Sequence, residues 1–156
     1  MKIALTTLLA ICLCLPLMGA DKEKPLPKDL KVLAVKRDAQ AQYNLEVMYE
    51  RGDGVPRDFK KAVKWYRKAA EQEFADAQYN LGVMYGAGKG VPKDFKEALK
   101  WHQKAADQGL VSDQYNIGYM YATDQGVEQD FKEAVKWYQK AADQGAATAQ
   151  NNLGVM

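Results

Sequence analysis

Cysteine occurs at two positions only, Cys12 and Cys14, and both lie within the first 20 residues. If that segment is removed on export, the mature chain carries no thiol, which excludes disulfide cross-linking and thiol catalysis together. Histidine is scarcer still, with His102 as the single example in 156 residues. One imidazole without a mature thiol makes neither a zinc site nor a histidine-dependent nucleophile, so no metal or other cofactor is expected. Net charge is almost absent: 22 Lys and Arg stand against 20 Asp and Glu for a formal +2, and loss of Lys2 lowers it further. No global field steers a polyanion to such a chain, and nucleic acid is not an expected partner. What remains is a composition, 27% charged and 47% hydrophobic, that suits a soluble folded protein with a packed core.

The first 20 residues, MKIALTTLLAICLCLPLMGA, place Lys2 before a largely apolar run from Ile3 to Leu17 and end on Gly19 and Ala20. That order reads as a secretory signal peptide cleaved near Ala20. The run is short of the roughly 20 residues a spanning helix needs, and Pro16 breaks its end. Ile11 and Leu13, which precede the two cysteines, are not the small residues that lipidation wants. The reading is of an exported chain, secreted or periplasmic, with no integral membrane segment once the signal is removed.

Self-similarity dominates the rest. AQYNLEVMY at Ala41 returns as AQYNLGVMY at Ala77 and DQYNIGYMY at Asp113, an offset of 36 residues each time. GVPRDFKKAVKWYRKAAEQ from Gly54 likewise returns from Gly90 and from Gly126 without a gap. Units run over 39–74, 75–110 and 111–146, and a fourth starts at 147–156. A period of this length marks stacked supersecondary units in which neighbours supply each other's core.

Each unit reads as two helices. In the first, helix A, Ala77, Leu81, Met84 and Tyr85 recur at helical spacing, with Tyr79, Val83 and Gly86 as a second apolar edge. In the second, helix B, Phe95, Ala98, Leu99, Trp101, His102, Ala105 and Ala106 share an arc of about 160°, with Lys96, Lys100 and Lys104 opposite. Asp94 followed by Glu97, and Asp130 by Glu133, predict a reciprocal cap at the start of helix B, whereas Asp58 is followed by Lys61. Gly109 and Gly145 suit the left-handed residue that closes a helix; Glu73 stands there in the first unit and predicts a differently shaped junction. The connections GDGVPR and GKGVPK combine glycines that permit positive φ with prolines that fix the backbone before helix B.

The order AxYNLGxMYxxGxGVPxDFKxAxxWxxKAAxQG, repeated from Ala39 to the end, resembles the Sel1-like repeat family, relatives of the 34-residue tetratricopeptide repeats. The resemblance implies an all-α, right-handed solenoid of antiparallel helix pairs whose concave surface, lined mainly by A helices, docks proteins or peptides. It also implies an adaptor, not an enzyme, among relatives that include exported bacterial proteins. Some of those staple each unit with a cysteine pair, which this chain lacks. Three departures stand out. Glu46 replaces the helix-packing glycine found as Gly82, Gly118 and Gly154, which predicts an unusual neighbour for the first unit. Asp124 replaces the loop glycine of Gly52 and Gly88, and Glu128 the proline of Pro56 and Pro92, which predicts a less rigid third loop.

At the ends, 21–38 reads as an extended linker to Pro27 followed by a short capping helix from Lys28 to Arg37 that presents Leu30, Leu33 and Ala34. VLAV within it is also compatible with a strand. The chain stops one residue before the tyrosine that Tyr49, Tyr85 and Tyr121 would predict, with no polar cap, as expected of a fragment or an early-terminated copy.

Residues that recur between units are read as architectural: Leu45 and Leu81, Tyr49, Tyr85 and Tyr121, Trp65, Trp101 and Trp137, Gly82 and Gly118. Asn44, Asn80, Asn116 and Asn152 form an amide ladder on helix A, able either to meet a peptide backbone or carboxylate or to join neighbouring units. Selectivity is assigned to the slots that vary on that face: Gln40, Asp76 and Ser112; Val47, Val83 and Tyr119; Glu50, Gly86 and Ala122. Tyr119 and Tyr115 are the candidate aromatic anchor, with plain packing as the alternative.

Lysines 60, 64, 68, 96, 100, 104, 132, 136 and 140 face outward on the B helices, bordered by Glu97, Asp107, Glu133 and Asp143. With no interleaved aromatics expected there, a solvated face is favoured over a nucleic-acid platform. The reading as a whole is a monomeric, non-enzymatic scaffold for an unidentified protein or peptide. The alternative is an envelope hydrolase or its subunit acting on peptidoglycan or β-lactams, although no nucleophile is evident. If the Trp101 ring is buried as its place on the arc requires, Trp101→Ala costs about 3 to 5 kcal/mol. Urea unfolding measures it, and an unchanged midpoint would show the arc to be misassigned.

Overall fold

The computed structural model describes Asp38 to Met156 and, before them, Leu30, Val32, Ala34 and Lys36. The signal segment and most of the linker lie outside the described residues, as does Leu33. Seven helices follow in order: α1 (Ala39–Arg51), α2 (Phe59–Ala70), α3 (Ala75–Ala87), α4 (Phe95–Asp107), α5 (Val111–Ala122), α6 (Phe131–Asp143) and α7 (Ala147–Gly154). There is no strand among the described residues. Odd-numbered helices are the A helices and even-numbered ones the B helices. Each helix packs on the one before and the one after, so the chain builds an α-solenoid.

Both kinds of helix end the same way. After helix A, Gly52, Gly88 and Asp124 are left-handed, and the N–H of the following residue returns to Met48, Met84 and Met120 at 3.0 Å in each case. After helix B, Glu73, Gly109 and Gly145 are left-handed, and Phe74, Leu110 and Ala146 donate to Ala69, Ala105 and Ala141 at 3.2, 3.2 and 3.1 Å. This closure satisfies orphan carbonyls at the turn itself. It corrects one expectation: Glu73, at φ 63°, takes the glycine conformation, so the first junction keeps the common shape. Asp124, at φ 58°, does likewise after the third helix A.

The starts of the B helices bring a second correction. Asp94 Oδ1 accepts from the N–H groups of Lys96 and Glu97 at 2.9 and 3.1 Å, and Asp130 does the same. The answering arm is absent, because the Asp94 and Asp130 N–H groups already donate to Tyr85 and Tyr121 at 3.0 Å. Glu97 and Glu133 turn instead to Lys100 and Lys136. Asp58, whose N–H donates to Tyr49 at 2.8 Å, caps its helix in the same way but with one bond, from the Lys61 N–H at 3.0 Å.

The core crosses unit boundaries. One cluster joins Ala62, Val63, Tyr66, Ala69 and Ala70 of α2 to Ala77, Leu81 and Met84 of α3 and Trp101 of α4. Small residues set the spacing: a Cβ on Gly82 would lie 2.7 Å from the His102 ring, and one on Gly118 2.8 Å from that of Tyr138. Buried glutamines then tie the layers together. Gln78 donates to the Ala70 carbonyl of α2 at 3.1 Å and accepts from Gln108, beyond α4, at 2.8 Å. Gln42 accepts from Gln72 and Gln114 from Gln144 in the same way, both at 2.8 Å.

Gln42 donates in turn to the Ala34 carbonyl at 2.8 Å. Ala34 precedes Ala70, and Leu30 precedes Tyr66, by one repeat period. Leu30, Val32 and Ala34 are helical, with Ala34 buried against Ala41 and Leu45, so this stretch caps the stack from helix B positions and is not a strand.

A side chain in the left-handed region costs roughly 1 to 2 kcal/mol. Glu73→Gly is therefore expected to stabilise the fold by about 1 kcal/mol, once the extra chain entropy of glycine is offset. Thermal melting checks it; an unchanged or lower midpoint contradicts it.

Candidate binding site on the A-helix face

Two cavities open beside the A helices at equivalent places one period apart. The first, about 500 Å³, is lined by Val47, Glu50, Arg51, Phe59, Tyr66, Asn80 and Lys89, among others. The second, about 300 Å³, presents Val83, Gly86, Ala87, Phe95, His102, Asn116 and Gln125 at the corresponding positions, with Tyr119 and Met120 closing it.

The first pocket is ionic. The Glu50 carboxylate accepts from the Tyr66 hydroxyl at 2.7 Å, and this contact, after burial, helps push the Tyr66 hydroxyl above its ordinary range. The Arg57 guanidinium and the Lys89 ammonium lie 5.3 and 5.8 Å from the centre of the same Phe59 ring. Lys89 is brought there by Gly90, which lies so close to α2 that a Cβ on it would stand 2.3 Å from the Phe59 carbonyl oxygen. Only glycine permits that approach, and its φ of 73° also favours glycine. In the second pocket Gly86 stands for Glu50, Ala87 for Arg51 and Gln125 for Lys89, while Lys93, the counterpart of Arg57, stands 4.4 Å from the Phe95 ring without lining the cavity.

The residues singled out from sequence are distributed over this face and its margins. Val47, Val83, Glu50, Gly86, Asn80, Asn116 and Tyr119 line the two pockets, with Tyr119 43% exposed. Ser112 and Tyr115 line a third cavity of about 240 Å³ with Tyr79, Asn116 and Thr148. Tyr115 is half-buried against Tyr138, with ring centres 5.5 Å apart. Gln40 and Asp76 are exposed, and Gln40 donates to Asn44 at 3.1 Å. Asn80 faces the Tyr43 hydroxyl and Asn152 that of Tyr138. Thus Asn44 is exposed, Asn80 and Asn116 line the pockets, and Asn80 and Asn152 also meet a tyrosine of another helix.

Sequence reasoning missed Arg51, Arg57 and Lys89. The signal was available, since position 51 is Arg in one unit and Ala in the next, and position 89 is Lys against Gln at 125.

It also missed a buried pair at the second junction. His102 Nδ1 lies 2.6 Å from Asp113 Oδ1 across α4 and α5, with both side chains almost fully buried. Burial pushes the Asp113 carboxyl up, and the contact with His102 pulls it down. Two departures coincide here, His for Tyr in helix B and Asp for Ala in helix A. On the outer face aromatics do interleave with the lysines, contrary to expectation: Lys68, Lys104 and Lys140 stand 4.2, 5.0 and 3.9 Å from the Trp65, Trp101 and Trp137 rings. Those tryptophans are thus engaged by the chain's own cations.

A family model described as Sel1 repeat matches residues 39–74, 75–110 and 111–145. Among solved structures, the chain is similar to a Sel1 repeat protein from Oxalobacter formigenes, with a TM-score of 0.75 and 40% identity over 82% of this chain and 96% of that one. It is also similar to a protective antigen present in uropathogenic Escherichia coli strains that displays an SLR fold, with a TM-score of 0.80 and 43% identity over 81% of this chain. The match spans only 27% of that antigen's length. Helicobacter pylori cysteine rich protein B aligns at 28% identity and a TM-score of 0.61, over 81% of this chain and 96% of its own. A putative sel1-like repeat-containing protein of Acanthamoeba polyphaga mimivirus is 42% identical over 45 residues, which span 8% of that protein.

Glu46, at the glycine position of α1, is fully buried, and neither carboxyl oxygen has a hydrogen-bond partner among the described residues. Burial, with Glu50 nearby, pushes its carboxyl up to about 10. Sealed from solvent, it holds a proton that the unfolded chain releases above the ordinary carboxyl range, so stability falls as pH rises from about 5 to 10. Glu46→Gln is expected to flatten that slope, which urea midpoints at pH 5, 7 and 9 measure. A variant with the parent's slope contradicts the assignment.

Proposed function

The chain belongs to the Sel1 repeat family, and from that premise we propose that it is a non-enzymatic scaffold holding a segment of a partner protein against its A-helix face. Repeat proteins of this family serve as protein-interaction scaffolds. The observation that carries the reading for this chain is the pair of equivalent pockets. Gln42, Gln78 and Gln114 and the glycine-spaced helices repeat, while the side chains lining the pockets change from charged to apolar. A repeated frame with varied lining is what selection of a partner requires.

The chain works outside the cytoplasm, in the envelope or beyond the cell, and as a monomer. The leader-like first 20 residues support that location, as does the likeness to an antigen of Escherichia coli strains. No observation favours the hydrolase alternative. Glu46, the most strongly perturbed carboxyl, has no access to a substrate, and His102 is committed to Asp113 inside the core.

Site-specific photocross-linking tests the face used. With p-benzoylphenylalanine in place of Tyr119, adducts to a partner protein are expected in the native envelope or secretion medium; with the same group in place of Lys100, none are. Adducts from position 100 without any from 119 would move the site to the B helices and end this proposal.

A further inference from the structure

The two A-helix pockets share a frame and differ in charge, and that difference specifies the chemistry of an occupant. Resting on the scaffold reading above, we propose that the pair receives an extended partner segment carrying an acidic side chain and, about three to six residues away, an apolar one. The acidic group enters the pocket of Arg51, Arg57 and Lys89, and the apolar group the pocket of Val83, Phe95 and Tyr119.

Three cations line the first pocket against one carboxylate, and that carboxylate is held by Tyr66. None of the three is in an ion pair among the described residues, where Lys61, Lys100, Lys136 and His102 are the cations so engaged. Phe59 is flanked by Arg57 and Lys89, so both stand at one wall with their charges uncompensated by acid. An anion placed there meets charge-assisted donors, and guanidinium groups match a carboxylate geometrically.

One period on, the counterparts of Glu50, Arg51 and Lys89 are uncharged, and Lys93, in the place of Arg57, stands by the Phe95 ring but outside the cavity lining. Gly86 and Ala98 leave room for an inserted group beside Val83 and Tyr119, which are exposed by 38% and 43%. The polar atoms that remain there belong to Asn116, Gln125 and His102, and His102 is turned to Asp113. Phe59–Ala70 packs on both A helices, packed axes stand about 10 Å apart, and an extended chain rises about 3.3 Å per residue, which sets the separation at about three to six residues.

The test is fluorescence anisotropy with the whole chain and end-blocked peptides, acetylated and amidated so that no terminal carboxylate contributes. Peptides carry Glu, Gln or Lys about three to six residues from Leu, in a series of spacings on an otherwise Gly/Ser background. The Glu peptide is expected to bind at least about tenfold more tightly than the Lys peptide, and Lys89→Glu combined with Arg57→Glu is expected to reverse that order. Both positions are exposed, and circular dichroism confirms that the variant remains folded. Reversal is a readout that loss of structure cannot mimic.

Equal binding of the Glu and Lys peptides, or a preference untouched by the double variant, overturns the inference and leaves the scaffold reading standing. No peptide binding alongside partner adducts from position 119 does the same. Absence of those adducts is what defeats the scaffold reading itself.

Discussion

A buried glutamine in each of α1, α3 and α5 sets the stacking on which everything else depends. An amide taken out of water costs free energy unless its hydrogen bonds are replaced, and here the replacements come from the helix ends on either side. Gln78 donates to the end of α2 and accepts from Gln108 beyond α4, so three consecutive helices must be in register for one side chain to be satisfied. Gln42 extends the same device to Ala34, which allows a single helical stretch to close the first unit. Apolar burial supplies most of the attraction between layers, but it is not directional. The amides say which offset between layers is the native one.

With that offset fixed, two close approaches become possible. Gly82 and Gly118 let the ring at the facing B position lie against the A helix, and Gly90 seats its loop on the start of α2. The second approach puts a lysine of one unit over an aromatic ring of the unit before. A pocket on the A-helix face is therefore composite, built from two units. Its chemistry changes whenever either unit changes, which is how nearly identical repeats come to display an ionic cavity beside an apolar one. The His102 and Asp113 pair shows the same coupling inside the core, where one substitution is matched by another across the junction.

Much of the architecture was legible from periodicity alone, because a repeat without gaps leaves little freedom in where helices begin and end. Local strain and burial were less legible. Glu73 suggested an altered junction, yet the surrounding closure holds it, like Asp124, in the glycine conformation, since hydrogen bonds on either side over-determine the backbone. Gln78 and Asn80 recur equally in the units, but two positions along a helix differ by about 200°, so one faces the core and the other does not. Recurrence cannot say which of the two points inward; stacking decides that. Asp113 and Glu46 read as surface acids by type, and only the packing around them reveals a buried pair and a buried neutral carboxyl. The pocket cations escaped notice because they sit at helix ends and in loops, where helical periodicity carries no information.

The central claim is that the A-helix face, with its repeated frame and varied lining, is where a partner segment is held. Backbone amide chemical shifts recorded while the chain is titrated with such a segment address it residue by residue. The account predicts that the largest changes fall at Val47, Arg51, Val83, Lys89 and Tyr119, with Lys64, Lys100 and Lys136 little affected. Changes concentrated on the lysine-bearing B helices, with the A-helix pockets undisturbed, would contradict it.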